Sequence, residues 1–304
     1  MNAGARLAVF GVGLAALFAA GLGAGAMVGD GEGERAAPSM GGMDMEEMDM
    51  EEMDVSGEHS SEEGYSLVPE AAELQPGQPG DFRFRILGPD GQPVHTYRPQ
   101  HERELHLIVA SRDLVFFTHI HPVRDAEGTW TVPLVLPEPG PYRAFADFAV
   151  AGGAAYTLGV DLTAPGAYQA RPLPAPSPFS TVDGYRVALT GAPTKPGRAD
   201  LWLAVRLDGR PVTDLDPYLG AYGHVVALRE GDLAYLHVHP EGHPGDGATR
   251  PGPEVHFSLH LPTAANYRLF FDFQHRGTVH TADFTVQVTG AGTTPGGSHG
   301  PGHG

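Results

Sequence analysis

No cysteine occurs in the 304 residues. That removes disulfides and thiolate ligands, and it argues against blue-copper electron transfer, whose site needs a thiolate. It says little about compartment. Basic residues are outnumbered, 19 Lys and Arg against 37 Asp and Glu, for a formal charge of −18. Such a chain repels phosphates, so no nucleic acid partner is expected. The same charge gathers cations near the surface, within the roughly 8–10 Å that salt leaves unscreened. Long helical periodicity is missing too; 42 Gly and 28 Pro point instead to short strands joined by turns. Methionine is absent after residue 53, so neither prospective core contains one.

Residues 7–28 are almost wholly Ala, Leu, Val, Phe and Gly, preceded by Arg6. They read as an export signal or as a retained hydrophobic helix, long enough to stay in the bilayer. Either way the rest of the chain is expected outside the cytoplasm, secreted or anchored to the cell membrane. Residues 29–63 then read as a disordered Met/acid-rich linker. Met40, Met43, Met45, Met48, Met50 and Met53 alternate there with seven acids between Asp44 and Asp54. Their spacing spreads the sulfurs around a helix without an amphipathic stripe.

The remainder is duplicated. Residues 82–97, with Asp90-Gly-Gln-Pro93-Val94, recur as residues 200–215, with Asp208-Gly-Arg-Pro211-Val212, at an offset of 118. Tyr142-Arg143-Ala-Phe145-Ala-Asp147-Phe148 matches Tyr267-Arg268-Leu-Phe270-Phe-Asp272-Phe273 at 125. One loop supplies the extra seven residues: seven lie between Pro122 and Trp130, fourteen between Pro240 and Val255. The chain therefore reads as all-β, with two tandem immunoglobulin-like β-sandwich domains at residues 64–164 and 181–290. A Pro-rich linker, 165–180, joins them, and a disordered Gly/His tail, 291–304, follows. Asp-Gly steps mark tight turns, and Glu254 to Leu261 alternates as a half-buried strand should.

Three histidines recur inside the repeat. His106, His119 and His121-Pro122 correspond to His224, His237 and His239-Pro240, since 224−106, 237−119 and 239−121 all equal 118. Residues two apart on a strand share a face. If Glu230-Gly231 forms a two-residue hairpin loop, paired residues sum to 461 and His224 faces His237. If Gly231-Asp232 forms it, the sum is 463 and His224 faces His239. Both registers bring three imidazoles to one face, with opposite Cβ atoms roughly 4.5–5.5 Å apart. In the first unit the same arithmetic sets His106 opposite His119 or His121. A fourth ligand is available from the last hairpin, at His275 or His280, where the first unit has Val150 and Tyr156. His95 and His101 are the substitutes available to the first unit. His256 and His260 fall on the polar side of their strand and are expected to face solvent; His243 sits in the inserted loop.

A single buried His is usually a hydrogen-bonded core residue, but three on one hairpin face are costly to bury unpaired. Imidazole suits copper, zinc or nickel, while closely spaced thioethers select Cu(I). Together they point to copper, with zinc as the alternative. Ligating imidazoles must be deprotonated, so affinity is expected to weaken as pH falls below the reference value of about 6.5. Catalysis is not expected, Asp272 being the one candidate general base beside the histidines.

The blocks His106-Leu-Ile-Val, His119-Ile-His121-Pro, Tyr218-Leu-Gly-Ala-Tyr-Gly-His224, His237-Val-His239-Pro and Asp272-Phe-Gln with Val279-His280-Thr resemble a family. Its members are actinobacterial secreted or membrane-anchored His-x-His-Pro proteins, labelled heavy-metal-associated and of unknown function. The likeness covers about residues 64–289. It implies His280 rather than His275 as the fourth ligand beside His224, His237 and His239. The Asp-Gly-x-Pro-Val turns are faintly similar to YtkA-like extracytoplasmic domains. The expected role is sequestration or transfer of copper, with a membrane copper transporter or metallochaperone as partner and the methionine tract capturing Cu(I). The competing expectation is a non-catalytic cell-surface interaction module whose histidines are structural.

Overall fold

Glu254–Leu261 is a strand that alternates buried and less buried residues along its whole length, because one face meets a core and the other meets water. The structure, a computed structural model, describes residues 56–290. The apolar segment, the methionine tract and the Gly/His tail lie outside those residues. Residues 56–63, read from the sequence as linker, belong to the fold.

The first unit is built from β1 (Ser61–Glu62), β2 (Tyr65–Pro69), β3 (Gly80–Leu87), β4 (Tyr97–Arg98), β5 (Leu105–Ser111), β6 (Phe117–Ile120), β7 (Val123–Arg124), β8 (Thr129–Leu134), β9 (Gly140–Val150) and β10 (Ala155–Ala164). The second repeats the plan with β11 (Phe179–Val182), β12 (Tyr185–Thr190), β13 (Gly197–Leu207), β14 (Arg210–Pro211), β15 (His224–Arg229), β16 (Tyr235–His237), β17 (His239–Pro240), β18 (Glu254–Leu261), β19 (Ala265–His275) and β20 (Thr278–Val288). One sandwich pairs the sheet β1-β2-β3-β8-β7 with β10-β9-β5-β6; the other pairs β11-β12-β13-β18-β17 with β16-β15-β19-β20. All strand pairs are antiparallel, and the architecture is two tandem immunoglobulin-like sandwiches.

Each sandwich has its own apolar core, but a third cluster belongs to both. Ile108, Ala110, Leu114 and Phe145 of the first unit pack with Val226, Leu228, Leu233, Tyr235 and Phe270 of the second. On β5 the odd residues Leu105, Leu107 and Val109 enter the first core, and the even residues Ile108 and Ala110 enter this shared layer. β9, β15 and β19 divide the same way: Phe271 faces the second core while Phe270 faces the first unit. Two inner sheets therefore lie face to face, buried on both sides.

The contacts across this layer are reciprocal, as in an isologous interface. Phe117 stacks on Phe270 with ring centroids 4.0 Å apart. Its counterpart Tyr235 meets Phe145, the counterpart of Phe270, at 5.7 Å. The proline-rich segment runs along the structure rather than away from it: Arg171 pairs with Glu138, and Leu173 packs on the shared layer.

Candidate metal centre

The hairpin register decides which histidines meet. In the first unit Ile108 pairs with His119 and Leu107 with Ile120, so extending the ladder sets His106 opposite His121. In the second, Val226 pairs with His237, the same position shifted by 118. Paired residues thus sum to 463, but the loop that delivers this register is the four-residue Glu230–Leu233, closed by Arg229 N–H donating to Ala234 O. The two downstream histidines do not share one strand. β16 ends at His237, and the chain crosses to the outer sheet, where His239 pairs with Ser258. Val238 between them is buried in the second core, which draws the backbone across the sandwich edge.

The first unit gathers three imidazoles. His106, His119 and His121 present one nitrogen each, all within 4.8 Å of one another. His106 Nδ1 lies 3.0 Å from His119 Nε2 and 3.1 Å from His121 Nε2. A metal bonded to imidazole at about 2.0–2.1 Å needs nitrogens roughly 2.9 Å apart at a right angle and roughly 3.3 Å apart in a tetrahedron. Both distances from His106 Nδ1 fall between these.

Partners on the far side of two rings fix where their protons sit. His106 Nε2 faces the carbonyl of Gln100 at 2.9 Å, and an acceptor there requires N–H on that nitrogen. His119 Nδ1 faces Asp272 Oδ2 at 2.9 Å, which likewise places its proton. With those protons committed, the remaining nitrogens of His106 and His119 face each other across 3.0 Å. That arrangement calls for a cation between them, either one extra proton or a metal. Burial, the main cause, pushes His106 down to about 4 and His121 to about 3, which keeps both neutral near pH 7. The proton competition expected near pH 6.5 is displaced to lower pH for these two rings.

Asp272 is contributed by the other sandwich. Its second oxygen accepts from Thr281 at 2.6 Å, and the residue is 2% exposed. The one sequence candidate for a general base thus has both oxygens engaged. It orients His119 as a carboxylate orients a metal-ligating imidazole.

His224 repeats the His106 arrangement. Its Nε2 meets the carbonyl of Tyr218 at 2.9 Å, six residues upstream, as Gln100 is from His106. It pairs across the ladder with Asp272, as His106 pairs with Asp147. Burial pushes it down to about 3. His101 lies between the halves, its ring 5.0 Å from His224 and 6.1 Å from His106. A cavity of about 30 Å³ opens here, lined by His101, His106, His119, Asp147, His224 and Tyr235.

The proposed fourth ligand is elsewhere. His280 pairs with Phe273, one residue past Asp272, and so lies on the opposite face of the sheet from His224. Its ring packs at a tilt against Tyr185 and Phe273, and its Nδ1 meets Asp183 at 2.8 Å. His275 shares that face, bonded to Tyr185 at 2.7 Å. Both belong to the end of the second core. His95 is exposed in its loop, and His243 bonds to its own turn. His256 is half-buried rather than free in solvent, stacked on Trp202 at 4.0 Å. His260 is half-buried on the same face. The six tract methionines fall outside the described residues.

The sequence reading missed Asp147, the cross-unit role of Asp272, and His101 as a bridge between the units. The signal for the carboxylates was available: both aspartates end the matched Tyr-Arg…Asp-Phe blocks.

These features define a tandem immunoglobulin-like protein with a histidine cluster between its sandwiches. The chain belongs to the DUF8832 family, a domain of unknown function, which it carries twice, over residues 60–166 and 180–290. No curated protein matches it significantly. Among solved structures it is similar to an Escherichia coli adhesin, FdeC, at 14% identity and TM-score 0.26, over 76% of this chain and 65% of that one. It is also similar to the Ig1-2 module of the Drosophila receptor tyrosine phosphatase DLAR, at 8% identity and TM-score 0.21, over 75% and 98%. A putative membrane-anchored protein from Corynebacterium diphtheriae gives 10% identity and TM-score 0.22, over 73% and 56%. The chain spans about two thirds of the adhesin's length.

Proposed function

We propose that this protein binds a metal ion outside the cytoplasm, copper with zinc as the alternative, for sequestration or transfer. His106 Nδ1, His119 Nε2 and His121 Nε2 hold the ion, and Asp272 and Gln100 O orient the rings. The single observation behind this reading is the convergence of three imidazole nitrogens within 4.8 Å of one another, while the far nitrogens of His106 and His119 each face an acceptor. The side chains of His237 and His239 lie outside what the structure describes, so the reading is carried by the first unit.

Delivery of Cu(I) by the methionine tract fits the chain path. Ser56 forms backbone hydrogen bonds with Tyr235, whose hydroxyl donates to Asp147 at 3.4 Å on the cavity wall. Met53 is three residues upstream, a reach of roughly 10 Å. Metal analysis of the full chain, of His121→Ala, and of a chain lacking residues 29–53 tests the reading. One tightly held ion that His121→Ala abolishes supports it. Equal metal content in wild type and His121→Ala would sink it.

A second reading has one observation in its favour: each ring of the cluster already has a protein partner in an interface that joins the sandwiches. On that reading the protein is a cell-surface interaction module, His119 is a structural partner of Asp272, and no metal is retained.

A further inference from the structure

We propose that the second sandwich carries a binding site for a guanidinium group, supplied by an arginine side chain of a partner polypeptide or by a small guanidinium compound. The site is the cavity of about 340 Å³ beneath the inserted loop between Pro240 and Val255. It shares no lining residue with the cavity at the histidine cluster and does not depend on metal binding there.

The first copy shows what belongs in this place. Arg124 lies across Tyr97 and Trp130, its guanidinium 5.4 and 5.5 Å from their ring centroids, and it donates to Glu104 at 3.2 Å. Aromatic faces and a carboxylate together suit a guanidinium. In the second copy Glu104, Arg124 and Trp130 are replaced by Tyr222, Gly242 and Val255. All three replacements line the cavity. An arginine and a tryptophan have become a glycine and a valine, and the space they filled is open. A side chain at position 242 cannot refill it. Gly242 has φ +77°, and a Cβ there would run into Thr249 Oγ1. The volume falls within the roughly 300–1,000 Å³ of small-ligand sites.

The walls favour a cation. Three carboxylates, Glu241, Asp246 and Glu254, line the cavity against one guanidinium, that of the exposed Arg250. Asp246 is committed to its own turn, accepting from the backbone N–H groups of His243, Ala248 and Thr249. Glu241 and Glu254 are exposed and enter no ion pair among the described residues. A planar guanidinium donates to two carboxylates through fixed N–H groups, where an ammonium acts as a point charge. Tyr222, half-buried, supplies an aromatic wall, and Ala221, Pro240 and Val255 supply an apolar one for an aliphatic stem.

The test titrates the full chain with butylguanidinium, with a capped Gly-Arg-Gly peptide, and with the same peptide carrying citrulline, the neutral isostere. A chelator keeps the histidine cluster free of metal throughout. Magnetic resonance shifts of Tyr222, Gly242 and Val255 report occupancy, and those of His106 and His121 control for binding elsewhere. The guanidinium probes should move the cavity resonances and citrulline should not. Changing Glu241→Gln and Glu254→Gln together should weaken binding roughly tenfold or more, as the loss of charge-assisted hydrogen bonds implies. Both side chains are exposed, so the fold should persist. Tighter binding of the peptide than of butylguanidinium assigns the site to a polypeptide partner, and equal affinities assign it to a small molecule. Cavity resonances that neither guanidinium probe moves, or that citrulline moves equally, overturn the site. Unchanged affinity in the double Gln variant overturns it as well.

Discussion

Asp272→Asn isolates the electrostatic contribution that one sandwich makes to the other's histidines. The carboxylate accepts from His119 through Oδ2 and from Thr281 through Oδ1, at 2.9 and 2.6 Å. Asparagine fills the same space. Its carbonyl can keep the His119 bond, and its amide can donate to the Thr281 hydroxyl, which also accepts. The fold should persist, and the change is the loss of one buried negative charge behind His119. Orienting partners of this kind contribute roughly 10–100-fold to metal affinity, which is about 1.4–2.7 kcal/mol. Competition against a chromophoric chelator at pH 7.5 should therefore show metal held that much more weakly, with urea unfolding of the metal-free protein little changed or slightly stabilised. Unchanged affinity in a folded variant would refute the role assigned to Asp272. So would a loss of affinity no larger than the loss of folded protein.

Three further outcomes follow from the same geometry. His106, His121 and His224 all titrate below the unfolded value of about 6.5. The unfolded chain therefore binds more protons than the folded one between that value and the folded ones. Metal-free stability should be whole above pH 6.5 and fall as pH drops toward about 4; urea midpoints at pH 7.5, 6 and 5 read it, and a flat profile contradicts the burial argument. His280→Ala should destabilise by roughly 1–3 kcal/mol through its lost contacts and the unpaired Asp183 while metal affinity stays within twofold; a tenfold affinity loss restores it as a ligand. Phe270→Ala removes a fully buried ring stacked on Phe117, costs roughly 3–5 kcal/mol, and should weaken metal binding because it loosens the layer that sets Asp272 against His119. Preserved affinity in the destabilised variant would show that the cluster does not depend on the interface.

Much of the fold was legible because the duplication carries it. The offset of 118 fixed the pairing of β5 with β15 and of their hairpin partners, and the register sum of 463 was one of two anticipated. What escaped was the fourfold stacking of sheets. His106 to Ser111 reads as an almost unbroken apolar run, and such a run marks a strand buried on both sides. Treating each unit as a domain with its own core left no use for the second buried face, so Asp272 was placed beside its own histidines rather than against His119. The fourth-ligand choice failed for a related reason. The resemblance pointed to His280, but one step of strand pleat sends it to the other side of the sheet from His224.

The doubly buried inner sheets also say something about origins. A half-chain made alone would present Ile108, Phe117 and Phe145 to water, and a second copy of itself is the natural cover. The present molecule then reads as a fused homodimer, in which a symmetric pair of identical subunits became one polypeptide. Fusion freed the two copies to diverge: where one carries Gln100 and Tyr156, the other carries Tyr218 and His280.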